Sequence, residues 1–122
     1  MQSREMALFI QDAVLLPNGR LEFRVALASE LSLVASVLKG EYGLAMAALK
    51  SNSNLPCYRS VTECEIIDFH QLEDNSLSIV LEGKQRLKVL SAAKQRNGVW
   101  IARTIPCANW RHEPIVGEFE II

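Results

Sequence analysis

The stretch from Leu77 to Leu90, LSIVLEGKQRLKVL, most constrains what this chain can fold into. Apolar and polar residues alternate along it, which is the period of a β-strand with one buried face and one solvated face. Gly83 falls on the apolar parity, where a side chain would point inward, as expected where a strand bends around a barrel corner. The pattern predicts one strand that wraps around an apolar centre. The aliphatic residues of this parity are Leu77, Ile79, Leu81, Leu87 and Val89.

The opposite parity of the same stretch carries three basic residues, Lys84, Arg86 and Lys88. Charged residues at every second position are typical of a solvated face that protects a strand edge. The same row is also what contact with a polyanion or an acidic peptide would require. The sequence favours the solvated face and leaves polyanion binding as the alternative.

Turn signals divide the rest of the chain into further strands. Pro17-Asn18-Gly19 favours a tight turn, because proline presets φ and Asn-Gly accepts positive φ. Asp74-Asn75 and Asn97-Gly98 are similar signals. Many strands and tight turns suggest a small closed or half-closed sheet. The predicted strands cover residues 20–27, 61–69, 77–90 and 99–105.

One segment changes to the helical period, and it predicts the principal helix of the fold near residues 29–39. Ser29 can cap its start, and Gly40 is well placed just beyond its end. The run GLAMAALK, residues 43–50, suits either a short helix or a fully buried strand. The apolar stripe predicted for the helix consists of Leu31, Val34, Ala35 and Leu38.

Length and composition predict a single domain over residues 1–122. The net charge of −1 argues against non-specific nucleic-acid binding as the main role. No apolar run approaches the roughly 20 residues that span a bilayer, and the N-terminus lacks a signal-peptide pattern, so we expect a cytoplasmic protein. The odd set of Cys57, Cys64 and Cys107 fits reduced thiols and has no metal-ligand spacing.

The sequence offers no candidate catalytic residue, metal ligand or cofactor site. It has no glycine-rich phosphate loop. The pair Lys50-Ser51 lies in a polar segment that would not orient a nucleophile and its base. His70 is interpreted as a hydrogen-bonded surface residue, and Asp68, Glu73 and Asp74 as turn formers. A ligand pocket inside the barrel remains a further alternative.

Several phrases, in this order, resemble the N-terminal substrate-binding domain of ATP-dependent Lon proteases and bacterial proteins made mainly of that domain. The hairpin phrase carries Thr62 and Ile66 on one strand and Glu82, Gly83 and Arg86 on the next. The resemblance covers about residues 8–106, and residues 107–122 would be a C-terminal extension that is either truncated or docked elsewhere. The matching phrases are VLLPNGRLEFRV at 14–25, YGLAMAAL at 42–49, VTECEIIDFHQLEDNSLSIVLEGKQRLKVL at 61–90 and GVWIARTIP at 98–106.

The resemblance implies a mainly β (α+β) fold, a PUA-like β pseudo-barrel, and resolves residues 43–50 in favour of a strand. It also implies a non-enzymatic domain that binds unfolded or extended segments of other proteins, alone or together with a protease or chaperone. Weak self-association stays open. Because PUA-like barrels often contact RNA, an RNA-binding module that uses the Lys84, Arg86 and Lys88 row is the alternative.

Four residues are predicted to bind peptide: Arg24, Phe69, Trp100 and Trp110. Arg24 matches the family at the corner after the second strand, where the following residues depart from the usual pattern. Trp100 opposes the parity of its aliphatic neighbours, so it either packs on the core or forms an apolar platform. Trp110 lies past the last predicted strand, where it could line a groove or cover a sheet edge.

Overall fold

The computed structural model describes residues 3–49, 57 and 59–107. Within these residues it contains six strands and one helix, which confirms the prediction of a mainly β (α+β) fold with one principal helix. The run at residues 43–50 is a strand, as the family resemblance implied. The elements are β1 (Arg4–Gln11), β2 (Arg20–Val25), α1 (Ala28–Leu38), β3 (Gly43–Ala48), β4 (Ser60–Gln71), β5 (Leu77–Lys94) and β6 (Trp100–Pro106).

Five of the strands close into a ring. The order β5-β4-β3-β1-β6 returns to β5, because β6 pairs with both β1 and β5. The β1–β3 pair is parallel and the other pairs are antiparallel. β2 lies outside the ring and pairs with the first part of β5, residues 77–82. The fold is therefore a β pseudo-barrel with a three-stranded extension made of β2, β5 and β4.

Strand β5 is the long strand that the alternation predicted, and it continues past Leu90 to Lys94. Ile79, Leu81, Leu87 and Val89 are all fully buried. The strand can serve both parts of the fold because its partner on one side changes along its length. Residues 77–82 pair with β2, and residues 87–94 pair with β6.

Gly83 lies at this change of partner, and the structure gives a direct reason for the glycine. The loop between β1 and β2 crosses it closely: a Cβ at residue 83 would lie 2.3 Å from the carbonyl oxygen of Leu16. Asn18 donates its N–H to the carbonyl of Gly83, and Gly83 donates its N–H to the carbonyl of Gly19, both at 2.9 Å. The buried Thr62 hydroxyl donates to the Leu15 carbonyl at 2.7 Å. Two residues of the hairpin phrase, Thr62 and Gly83, thus hold this loop on the barrel.

The buried apolar residues form two clusters. The barrel cluster draws side chains from all five strands of the ring. The helix-side cluster packs Leu33 and Val34 of α1 against the sheet. Alternate residues of β1 and β3 point into opposite clusters, so both faces of β3 are buried, which explains its nearly continuous apolar sequence. The barrel cluster comprises Met6, Leu8, Ala45, Ala47, Cys57, Val61, Leu87, Val89 and Ala102.

Helix α1 ends just before the predicted glycine, but its N-terminal cap and its buried face differ from the prediction. Gly40 has φ of 82°, and the bonds Gly40 N–H to Val37 and Glu41 N–H to Ser36 form a Schellman motif. The prediction that Ser29 caps the helix is wrong, because the N-cap is Leu27 and makes no side-chain capping bond.

The predicted stripe of α1 is partly wrong. Leu33 and Val34 are its buried residues, while Ala35 and Leu38 are exposed. The helix is rotated so that Leu31 and Val37 flank the buried pair. The apolar residues of α1 cover more than one face, so spacing alone did not fix which face meets the sheet.

Candidate peptide-binding surface

Strand β4 has one open edge over its second half. β3 pairs with β4 at residues 62–64, whereas β5 continues to pair with β4 as far as Gln71. From Glu65 to Gln71, no strand in the described part of the chain covers the other side of β4. We call this segment, Glu65–Gln71, the β4 edge. Its backbone can accept a further strand.

Two large apolar side chains stand exposed on the β4 edge. Ile67 is 39% exposed and Phe69 is 50% exposed. A register shift lies between Ile66 and Asp68, so β4 carries a bulge next to these two residues. The β4 edge therefore combines a side that no described strand pairs with and two exposed apolar side chains.

Arg24 does not join Phe69 in one surface. Across the three-stranded extension, Arg24 pairs with Ser78 and Ser78 with His70, while Phe69 pairs with Ile79. Because directly paired residues point to the same face of a sheet, Arg24 and Phe69 point to opposite faces, two strands apart. The predicted residues thus lie at separate places.

The guanidinium of Arg24 is engaged at the tip of the β4–β5 hairpin. It forms an ion pair with Asp74, and its Nε donates to the Ser76 hydroxyl at 3.1 Å. The Ser76 hydroxyl and N–H both donate to Asp74. These bonds from Ser76, with a smaller contribution from Arg24, lower the pKa of Asp74 to about 2. Arg24 therefore orders the hairpin tip.

Trp100 lies on β6, which does not pair with β4: β5 lies between them on one side of the ring, and β1 and β3 lie between them on the other. Its ring is half-buried against the barrel cluster. The same residue lines a small cleft beside the first turn of α1, together with Leu27 and Glu30. Trp100 thus belongs to the core and to a surface cleft at once. Trp110 lies outside the described residues.

The basic row of β5 is not an open strip of charge. Lys84 bonds to Glu82 at 2.8 Å and to Glu65 at 3.3 Å, and these carboxylates raise its pKa. Arg86 is half-buried: one terminal nitrogen donates to the Ser60 hydroxyl, and its Nε is buried with no hydrogen-bond partner among the described residues. Lys88 is also half-buried. The row still faces away from the two apolar clusters.

The edge-protecting interpretation of this row is wrong, because β5 is a central strand. It pairs with β4 on one side and with β2 and β6 on the other. The charges of the row therefore do not guard a free edge. Among the described strands, an edge without a strand partner belongs to β4 beyond Cys64 and to the outer side of β2.

The described residues offer few groups for metal binding or nucleophilic catalysis. No group of three His, Cys, Asp or Glu side chains there is arranged to hold a metal ion. Burial raises the pKa of Cys57 to about 11 and that of Cys64 to about 12, so both thiols stay protonated and poorly nucleophilic. His70 is exposed on the β4 edge. Among these residues, no helix has the length and apolar character needed to cross a bilayer.

Ile67 is the residue of this surface that the sequence analysis missed. A signal was present: Ile66, Ile67 and Phe69 are three large apolar residues within four positions, which a simple alternation cannot bury together. Such a run indicates a bulge or an uncovered side chain. Phe69 was predicted to bind peptide, and its exposure is compatible with that role.

Comparison with solved structures finds the same fold in two Lon domains. A Lon N-terminal domain protein from Xanthomonas campestris is 24% identical, with a TM-score of 0.75, and the match covers 84% of this chain and 59% of that one. The N-terminal domain of Mycobacterium avium complex Lon protease is 10% identical, with a TM-score of 0.66, and covers 84% and 54%. This chain thus spans little more than half of each of these structures.

Sequence comparison assigns the family. None of the curated proteins matches this sequence. The family model for the substrate-binding domain of ATP-dependent protease La (Lon) matches residues 5–116. The match includes every described strand except the first residue of β1, and it extends the span of about residues 8–106 that the phrases indicated. The chain belongs to the Lon substrate-binding domain family.

Proposed function

We propose that this domain is a non-enzymatic polypeptide-recognition module that binds extended segments of unfolded proteins along the β4 edge. The observation that carries the proposal is the side of β4 from Glu65 to Gln71 that no described strand covers, with Ile67 and Phe69 exposed on this segment. A family named for binding protease substrates supports this role.

Strand addition supplies the physical route. A peptide that lies along an open edge gains main-chain hydrogen bonds whatever its sequence, and neighbouring apolar side chains add a preference for apolar residues. Monomeric proteins usually protect such an edge with charge, proline or a covering element. Here Asp68 and His70 provide some polarity, and the bulge between Ile66 and Asp68 interrupts the regular edge, while Ile67 and Phe69 remain exposed.

The binding would be weak and tolerant of sequence. Seven residues of edge offer few hydrogen bonds, and each contributes about 0.5–1.5 kcal/mol net. Ordering a flexible peptide offsets much of that gain. Useful affinity would come from several contacts on one client or from tethering to a protease or chaperone in the cytoplasm.

The experiment that tests the proposal uses backbone-methylated peptides. The probe is a capped seven-residue peptide of alternating valine and serine, which matches the length of the β4 edge. Two variants carry N-methyl groups at either the odd or the even positions, because only alternate N–H groups of an added strand face its new partner. Binding is followed by the amide chemical shifts of residues 65–71.

Strand addition predicts that one methylated peptide loses binding and the other retains it. The shifts should concentrate on the β4 edge. Equal binding of both methylated peptides would contradict strand addition, and saturable shifts confined to another surface would contradict the β4 edge as the binding site. Absence of binding at millimolar peptide would overturn the polypeptide-recognition role itself.

The RNA-binding alternative has weaker support in the structure. Lys84 is already paired with two carboxylates, and Arg86 is half-buried. The same protein preparation tests the RNA-binding alternative on immobilised RNA. Strongly salt-dependent retention on RNA that is lost in Lys84→Glu would favour the RNA-binding role.

A further inference from the structure

A second feature, separate from the β4 edge, is a small half-open cleft between α1 and the start of β6. Its volume is about 120 Å³. Small-molecule sites usually measure roughly 300–1,000 Å³, so this cleft has room for one side chain and not for a cofactor. The walls are mostly apolar, with Leu27 exposed at the rim.

One charged side chain, Glu30, stands among the described residues that line the cleft. Its Oε2 accepts a hydrogen bond from the Nε2 of Gln11 at 2.9 Å, which fixes the carboxylate beside the end of β1. Glu30 also lies in the first turn of α1, where its negative charge offsets the positive end of the helix dipole. The one charged side chain that an occupant of the cleft would meet among the described residues is thus a carboxylate.

Trp100 adds an aromatic wall to this carboxylate. An indole ring attracts a cation that lies over its face, by about 0.5–1 kcal/mol at exposed sites. The aliphatic stem of a lysine or arginine packs on apolar surface while its charged head reaches a polar group. Apolar walls from Leu27 and Leu33, an indole and one fixed carboxylate together match such a side chain.

We propose that this cleft takes a single lysine or arginine side chain from a bound polypeptide. The inference rests on the proposed function, and it adds a preference for basic residues to an otherwise tolerant binding mode. Lys94 opposes it mildly: this residue pairs with Trp100 across β5 and β6 but does not line the cleft. Removing its charge should strengthen binding of a cation.

The direct test uses single-residue probes. N-acetyl-lysine methylamide is titrated against the protein, with the norleucine analogue as the uncharged control. Chemical shifts of the Ser29 and Gly98 amides and of the Trp100 indole N–H report on the cleft. We expect saturable shifts with the lysine probe and about tenfold weaker binding of norleucine, from the ion pair and the ring together.

Variants of this protein test whether the carboxylate of Glu30 binds the lysine head group. Glu30→Gln keeps the shape and should weaken lysine binding about three- to fivefold without changing norleucine binding. Leu38→Gln, at the other end of α1, should change neither. Lys94→Gln should strengthen lysine binding about twofold. Equal affinity for lysine and norleucine, or no effect of Glu30→Gln, would overturn the inference.

The two proposals fail in different ways. Binding of the valine–serine peptide at the β4 edge, lost in one of its two methylated variants, with no response of the cleft to lysine would overturn the cleft inference and leave the proposed function standing. Binding of lysine at the cleft with no peptide bound at millimolar concentration would overturn the proposed function, and with it the assignment of a polypeptide as the occupant.

Discussion

Gly83 passes beneath Leu16 so closely that a Cβ on the glycine would lie 2.3 Å from the leucine carbonyl oxygen. Gly83→Ala should therefore displace the loop between β1 and β2 and disturb its bonds to β5. Because overpacking in a buried site typically costs about 1–3 kcal/mol, we expect a loss near the upper end of that range. Urea unfolding monitored by circular dichroism measures it.

Gly40→Ala is the control for this substitution. Gly40 has φ of 82°, but nothing lies within 4 Å of its missing Cβ. Its alanine variant should lose about 1–2 kcal/mol from backbone strain alone. A smaller loss for Gly83→Ala than for Gly40→Ala would show that the loop can move away freely, contrary to the close packing described.

Phe69→Glu should weaken peptide binding at the β4 edge and leave the fold intact. The side chain is half exposed, so we expect the free energy of unfolding to fall by only about 1 kcal/mol, half of the value for a fully buried phenylalanine. The peptide dissociation constant should rise at least about tenfold, because an apolar contact becomes a solvated charge. Isothermal titration with the valine–serine peptide measures this.

The matched variant for Phe69 is Leu38→Glu. Leu38 is 47% exposed at the end of α1, so its replacement removes a comparable apolar surface elsewhere. It should bind peptide as the wild type does. Equal loss of binding in both variants would indicate a non-specific apolar effect instead of recognition at the β4 edge.

The hairpin tip should make stability depend on pH in the acid range. The pKa of Asp74 falls from 3.8 to about 2 on folding, so its contribution is present above pH 3.8 and disappears as the pH falls through about 2. Asp74→Asn should be less stable at pH 7 and should show a flatter decline between these values. Thermal unfolding as a function of pH measures the difference.

Two further variants separate the causes of the Asp74 shift. The bonds from Ser76 contribute more than Arg24 does. Ser76→Ala should therefore flatten the acid decline more than Arg24→Gln. The reverse order would show that the ion pair dominates.

The three thiols should differ sharply in reactivity. Burial raises the pKa of Cys57 to about 11 and that of Cys64 to about 12, while Cys107 is half exposed. At pH 8 a disulfide reagent should react quickly with one thiol and slowly with two, because the thiolate is the nucleophile. Cys107→Ser should remove the fast phase, and three equally fast thiols would contradict the described burial.

The sequence predicted correctly those features that depend on residues close together in the chain. The alternation along β5 specified its buried residues, and Gly40 marked the end of α1. Asn75 and Gly98 have positive φ at the turns that their sequences indicated. These features depend on neighbours a few residues apart, which the sequence displays directly.

Features that depend on contacts between distant parts of the chain could not be predicted from the spacing of apolar and polar residues. The reason for Gly83 involves Leu16, in a loop more than sixty residues earlier. The buried face of α1 depends on which sheet residues it meets. The open side of β4 exists because β3 stops pairing at Cys64, and no periodicity reports where a neighbouring strand ends.

The ring also has a consequence for biosynthesis. Arg4 and Thr104, one hundred residues apart, are joined by a hydrogen bond where β6 closes β1 to β5. Until the ribosome has synthesised β6, the edges of β1 and β5 that pair with it stay open, and one side of the apolar interior is exposed to solvent. Contacts between such distant residues form slowly, so the nascent domain should itself be a client for chaperones until β6 emerges.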